Sequence, residues 1–181
     1  MFRLTLVLAC IFSACARAPA HVKATDVAMK KFCQKASQDK QIKMLGCGGF
    51  FDERKVRGFY ADFESNKQLS KEEARALLTD LVSTCIHDLN LEEKLLSYVI
   101  KTPISFDHVS ISIGFVGDDR KPYSQLSQIH IFENKVYYSV YDVSQNAYVC
   151  TQSETLNSEN PSLESNVATA PQVTEIESSV E

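Results

Sequence analysis

Tryptophan is absent from this 181-residue chain, and no stretch stays apolar for long. The longest such run, Leu4 to Phe12, covers about nine residues, far short of the roughly twenty that a membrane-spanning helix needs. That argues against a helical protein with several spans. Basic residues are missing where a nucleic-acid surface would need them: 19 Lys and Arg meet 23 Asp and Glu, with no clustered positive field. Cysteine never occurs as CxxC, so neither a zinc ribbon nor a dithiol redox motif is expected. From Gln152 onward there are six Glu and no Lys or Arg, which leaves 17 acidic residues against 19 basic ones upstream. The net charge of −4 therefore belongs to the tail, and the body is nearly neutral.

What is present begins with an export signal. Arg3 supplies the positive start, Leu4 to Phe12 the apolar core, and Phe12-Ser13-Ala14-Cys15 a small-residue ending. Cys15 sits where a bacterial lipoprotein carries its lipid, which predicts a signal over 1–14 and acylation of Cys15. Cleavage after Ala16 or after Ala20 (a signal over 1–20) is the alternative, giving a freely secreted protein. Residues 15–24 then form a tether, 25–151 a folded domain, and 152–181 an acidic tail whose polar composition predicts disorder. The expected location is the outer membrane or cell envelope, reached through an N-terminal lipid, or else the exterior.

Within the domain, a loose apolar stripe predicts a helix over Thr25 to Leu45. Three of the six glycines follow in Gly46-Cys47-Gly48-Gly49, a pattern that reads as a helix stop. Phe59, Ala61 and Phe63 alternate with Tyr60, Asp62 and Glu64, predicting a strand over Val56 to Glu64 with one wet face. Ser70-Lys71-Glu72-Glu73 is a capping box ahead of Ala74, Leu77, Leu78, Leu81, Val82, Cys85, Ile86 and Leu89, an amphipathic helix of five turns. Asn90 is placed to cap a shorter helix that ends before Pro103. Four strands follow: Val109–Phe115, a short one through Ile129 and Ile131, Val136–Tyr141, and Ala147–Thr151. Turns at Glu133-Asn134-Lys135 and Ser144-Gln145-Asn146 join the last three. The fold class this predicts is α+β: two layers, helices on one face of a mostly antiparallel sheet, in the order α-β-α-α-β-β-β-β.

The glycine stop, Lys71-Glu72-Glu73-Ala74-Arg75, Asn90 with Glu93, Leu95 and Tyr98, and Pro103 before the Val109–Phe115 strand together resemble small exported proteins of chlamydia-like intracellular bacteria. The resemblance spans about residues 25–142 and rests on structural motifs. It implies export and a fold, with no chemistry attached. The chain departs from the family at Leu96-Ser97, where an Arg-Pro pair is commoner, and in its cysteines.

Four cysteines lie beyond the signal, Cys33, Cys47, Cys85 and Cys150, and in an exported protein they admit up to two disulfides in three connectivities. The alternative is that Cys33 and Cys85 are small apolar core residues. Cys47 with His108 or His130 and an Asp has the composition of a thiol nucleophile with its base, although no local signature joins them. Strand alternation places His108 and His130 on the outer sheet face, too few for a metal site without a third ligand. Tyr137 and Tyr141 share one side of their strand, opposite Val136, Tyr138 and Val140, and if that side is the outer face they suit a partner, since tyrosine fits surfaces that are wet on one side and apolar on the other. Tyr137, Tyr141, His130 and His108 are thus the candidate partner surface. No catalytic residue, cofactor or metal ligand is assigned. The function expected is a non-enzymatic, exported protein-binding domain whose partner the sequence does not name. A small-molecule or lipid site between helix layer and sheet is the first alternative, and a thiol-dependent hydrolase the second.

Overall fold

The computed structural model describes residues 18–156. The signal, Cys15 and the tail beyond 156 lie outside them. The chain is α+β, with helices and a six-stranded, mostly antiparallel sheet. Helix α1 (Ala20–Lys40) leads into β1 (Lys43–Asp52) and β2 (Lys55–Ser65). Helix α2 (Lys71–Asn90) and the single turn α3 (Glu93–Leu96) follow, and a 3-10 turn at Phe106–His108 enters β3 (Val109–Phe115). The sheet is completed by β4 (Gln128–Phe132), β5 (Lys135–Asp142) and β6 (Ala147–Thr155). Strand order follows chain order, and among the described strands β2–β3 is the one parallel pair. A parallel pair needs a crossover, which α2 supplies.

Helix α2 forms where its pattern says it should. The Ser70 hydroxyl accepts the Glu73 amide at 3.2 Å, and the Glu73 carboxylate accepts the Ser70 amide at 2.8 Å. Both orphan donors of the first turn are thereby satisfied. Ala74, Leu78, Leu81, Val82, Cys85 and Leu89 are buried, and α2 lies against β3 and β4. Across from it, Ile111, Ile113, Ile129 and Ile131 are fully buried, alternating with half-exposed neighbours. Each such side chain contributes about 1.5–3 kcal/mol by leaving water. Phe32 of α1 meets Phe63 of β2 edge to face, with centroids 6.4 Å apart.

Four expectations are corrected. Helix α1 begins at Ala20, inside the expected tether, and ends at Lys40, five residues before Leu45. Its C-cap is Gln41, at φ 55°, with the Gln41 amide on the Ser37 carbonyl. Glutamine occupies the left-handed position usually given to glycine, so the stop is invisible in the sequence.

Gly46-Cys47-Gly48-Gly49 is therefore the middle of strand β1 rather than a helix stop, and none of its glycines has a positive φ. The glycines there make room. A Cβ on Gly49 would lie 2.7 Å from Thr25 Cγ2 of α1, and one on Gly48 would lie 3.0 Å from the Tyr60 ring. Helix α1 rests close on β1 because Gly49 has no side chain.

Asn90 ends α2 instead of starting the next helix. Its carboxamide accepts the Ile104 amide and donates to the Ile104 carbonyl, both at 2.9 Å, pinning the loop before β3. Finally, β6 continues four residues past Thr151, and Leu156 beyond it is buried, so the start of the expected disordered tail belongs to the domain. The observed order thus gains a strand between α1 and β2.

Candidate functional site

Alternation along β2–β5 turns a second set of side chains away from the core. His130 on β4 pairs directly with Tyr137 on β5, and their rings stack with centroids 4.7 Å apart and planes 10° from parallel. Burial lowers the His130 pKa, so the imidazole is neutral near pH 7. Its Nδ1 is buried and has no hydrogen-bond partner among the described residues. Farther along β5, Tyr141 packs edge-on against Tyr148 of β6, with centroids 5.3 Å apart, and its hydroxyl bonds Asn146. Four residues separate Tyr137 from Tyr141, about 13 Å at the rise of a strand. Both lie on the side of β5 opposite the core residues Val136 and Tyr138.

Three aromatics on this side escaped the sequence reading. Phe132 ends β4 in phase with His130 and is 47% exposed, Tyr148 is 46% exposed, and Phe50 lies against Tyr60 with centroids 5.4 Å apart. Phe132 directly precedes the Glu133-Asn134 turn, and Tyr148 lies on an edge strand. At both places the periodic signal is too short to assign a face. The Ser112 hydroxyl accepts the Gln128 side chain at 2.8 Å, so the polar residues between the aromatics are bonded to one another.

His108 lies ahead of β3, apart from His130. It closes the 3-10 turn, and its Nδ1 lies 3.1 Å from the Ser105 amide and 3.0 Å from the Ser105 hydroxyl. Ser112, the cross-strand neighbour of His130, is four residues further on. The two imidazoles are therefore not side by side. Among the described residues, no group of three His, Cys, Asp or Glu is arranged to hold a metal ion.

The cysteines divide. Cys33 on α1, Cys47 on β1 and Cys85 on α2 meet beneath the helices, while Cys150 lies at the opposite edge of the sheet on β6. All four are free thiols. Burial first, then the neighbouring Cys47 thiol, pushes the Cys33 pKa far up. Burial does the same to Cys85. Both remain protonated at neutral pH and are poor nucleophiles. Cys47 pairs with Ala61 and faces the helices, on the side opposite His130. The structure does not bring the thiol and that imidazole together.

The described residues also show a polar recess of about 380 Å³ beside the start of β1, lined by Gln41, Ile42, Lys43, Glu64 and Asn66. No described helix is long and apolar enough to cross a membrane. Comparison of the chain with protein-family models, with curated proteins and with solved structures finds no match.

Proposed function

We propose that this chain is a non-enzymatic, exported domain that binds a protein partner across the side of its sheet turned away from the helices. In this reading the architecture has two layers, with α1 and α2 covering one face and leaving the other for the partner. One observation carries it: the His130–Tyr137 stack, with an unpaired Nδ1, exposed Phe132 on the same strand as His130, and exposed Tyr148 farther along beside Tyr141. Aromatic side chains already held by neighbours lose little entropy on binding, and they are enriched at protein interfaces. Export and lipidation of Cys15 complete the proposal, resting on the pattern of residues 1–15. The location is then the outer membrane or envelope.

A ligand held between helices and sheet draws less support, because Met29, Phe32, Phe63, Leu78 and Leu81 fill that space. The test is a binding comparison. The full chain and a Tyr137→Ser/Phe132→Ser variant are offered to the envelope proteins of the source cell, and any captured protein is purified and titrated back. The expected result is one stoichiometric partner whose affinity falls at least about tenfold in the variant, with the melting temperature kept within a few degrees. A partner whose affinity the double variant leaves unchanged would refute this surface.

A further inference from the structure

The first strand of the sheet is an unusual edge. Native edges are blunted by prolines, charged side chains, bulges or short length, and of these β1 has only the bulge at Leu45 and a charge at each end. Strand β1 is ten residues long, contains no proline, and carries charge only at Lys43 and Asp52. Between them Met44 is 36% exposed, Leu45 55%, Phe50 49% and Phe51 39%. No described residue pairs with its outer side. The opposite edge, β6, displays Thr151, Gln152, Ser153 and Thr155 along its second half, with Tyr148 and Cys150 exposed in its first.

The pairing of β1 with β2 fixes which face each residue takes. Met44, Cys47, Gly49 and Phe51 lie opposite Phe63, Ala61, Phe59 and Val56, all core residues, and so point to the helix side. Lys43, Gly46, Gly48, Phe50 and Asp52 lie opposite Glu64, Asp62, Tyr60, Gly58 and Lys55, on the other side. Leu45 is the bulged residue between Met44 and Gly46.

We propose that two copies of this chain pair β1 with β1, antiparallel, about a two-fold axis at Gly48, joining their sheets into one. Residues directly opposite in such a pair must share a face. With the axis at Gly48 they do. Gly48 faces its own copy, Cys47 faces Gly49, and Gly46 faces Phe50, so every larger side chain near the axis meets a glycine. Beyond that, the Leu45 bulge takes up one residue and shifts the register by one. Met44 then faces Phe51, apolar to apolar, and Lys43 faces Asp52, positive to negative. A strand without the bulge would set Lys43 against Glu53 and lose both matches. Arg57 bulges from β2 at the Phe50–Phe51 step, so in the pair a bulge flanks that step on each side and both favour the same local twist. The interface is isologous, as a closed dimer requires. It lies at the sheet edge and uses Phe50 of the outer-side aromatics, but not the His130–Tyr137 stack, Phe132 or Tyr148.

Charge exchange tests the register. The full chain should sediment as a dimer at micromolar concentration. Lys43→Asp sets two carboxylates against each other at both ends of the seam, and Asp52→Lys sets two ammonium groups there. Each variant alone should dissociate about tenfold more readily. An equimolar mixture of the two variants restores both ion pairs in the mixed dimer, and should recover dimer mass at a concentration where each variant alone is monomeric. Loss of the Lys43–Glu64 and Asp52–Arg57 pairs within each copy cannot produce that rescue, since mixing does not repair them. A chain that stays monomeric up to about 100 μM would overturn the proposal, as would a dimer indifferent to either charge change or not rescued by mixing.

Discussion

The two edges of the sheet are built in opposite ways. At β1 the edge is apolar and rich in glycine, and it is held from one side by α1 resting on Gly49. At β6 the second half of the edge is polar and held by side chains from α2 and from Tyr138 of β5. The Arg75 Nε donates to Glu154 at 2.6 Å, the Tyr138 hydroxyl donates to the same carboxylate oxygen at 2.7 Å, and Lys71 reaches Gln152 at 3.0 Å. The Leu156 amide then closes on the Asn134 carbonyl. One edge is fixed by close backbone approach, which needs the absence of side chains. The other is fixed by long side chains and so tolerates almost any polar strand. The first leaves its outer side apolar, and the second leaves it wet.

The largest expected effect removes the frame on which both edges depend. Leu81 is 1% exposed in the middle of the α2 stripe, and Leu81→Asp would bury a carboxylate with no partner. That costs more than about 4 kcal/mol, so the cooperative thermal transition followed by circular dichroism should vanish. A transition within a few degrees of wild type would show that α2 does not support the sheet.

Truncation separates the β6 edge from the tail. Deleting 152–181 removes half of the β5–β6 ladder, the Glu154 cluster and buried Leu156, and should lower stability by about 3 kcal/mol in urea titration. Deleting only 157–181 should leave the midpoint unchanged. Equal stability of the two truncations would mean that the side-chain anchors at β6 contribute nothing.

The β1 edge is probed by its glycines. Gly49→Val places branched carbons where Thr25 Cγ2 already sits, 2.7 Å from a Cβ, and should cost about 2 kcal/mol as α1 is pushed away. Gly46 has nothing within 4 Å of its Cβ position, so Gly46→Ala should stay within about 0.5 kcal/mol of wild type. If both changes proved equally mild, close approach would not be what holds α1 to β1.

The smallest effect is electrostatic and belongs to β6 alone. The Tyr138 hydroxyl, then Arg75, lowers the Glu154 pKa below its ordinary 4.5. A carboxylate depressed in the folded state stabilises it above the unfolded value, and that contribution disappears as pH falls from 4.5 through the folded value. Glu154 and Arg75 are each about one-third exposed, so solvent screening holds the contribution to less than about 1 kcal/mol. Glu154→Gln should therefore lower stability at pH 7 and narrow its difference from wild type at pH 3. Other depressed carboxylates, such as Glu73 and Asp142, act equally in both proteins. A difference independent of pH would locate the effect in packing instead.

Helix α2 and the interior strands were legible in the residues alone, for a local reason. The Ser70–Glu73 box writes the start of α2, the Leu78–Leu81–Val82–Cys85–Leu89 spacing writes its buried face, and alternation writes β3 and the Phe59–Phe63 part of β2. Asn134 and Asn146, each at positive φ, stand in the turns that tie β4 to β5 and β5 to β6. Spacing alone put Tyr137 and Tyr141 on one side of β5, although the His130 stack and the bonding of His108 to Ser105 were not foreseeable.

What only the tertiary structure decided lies mainly at the margins of the sheet. An edge strand buries few side chains, so β1 shows no alternation to read, and its glycines are explained by Thr25 of α1 and the ring of Tyr60 rather than by turn chemistry. The end of α1 at Gln41 depends on a left-handed residue that no composition rule selects. Strand β6 extends to Thr155 because Arg75, Tyr138 and Lys71, distant in sequence, wait for Glu154 and Gln152. Local sequence determines an element when the element's own side chains bury its own face. When close approach or a remote side chain holds the element instead, the cause lies elsewhere in the chain, and only the folded structure brings the two together.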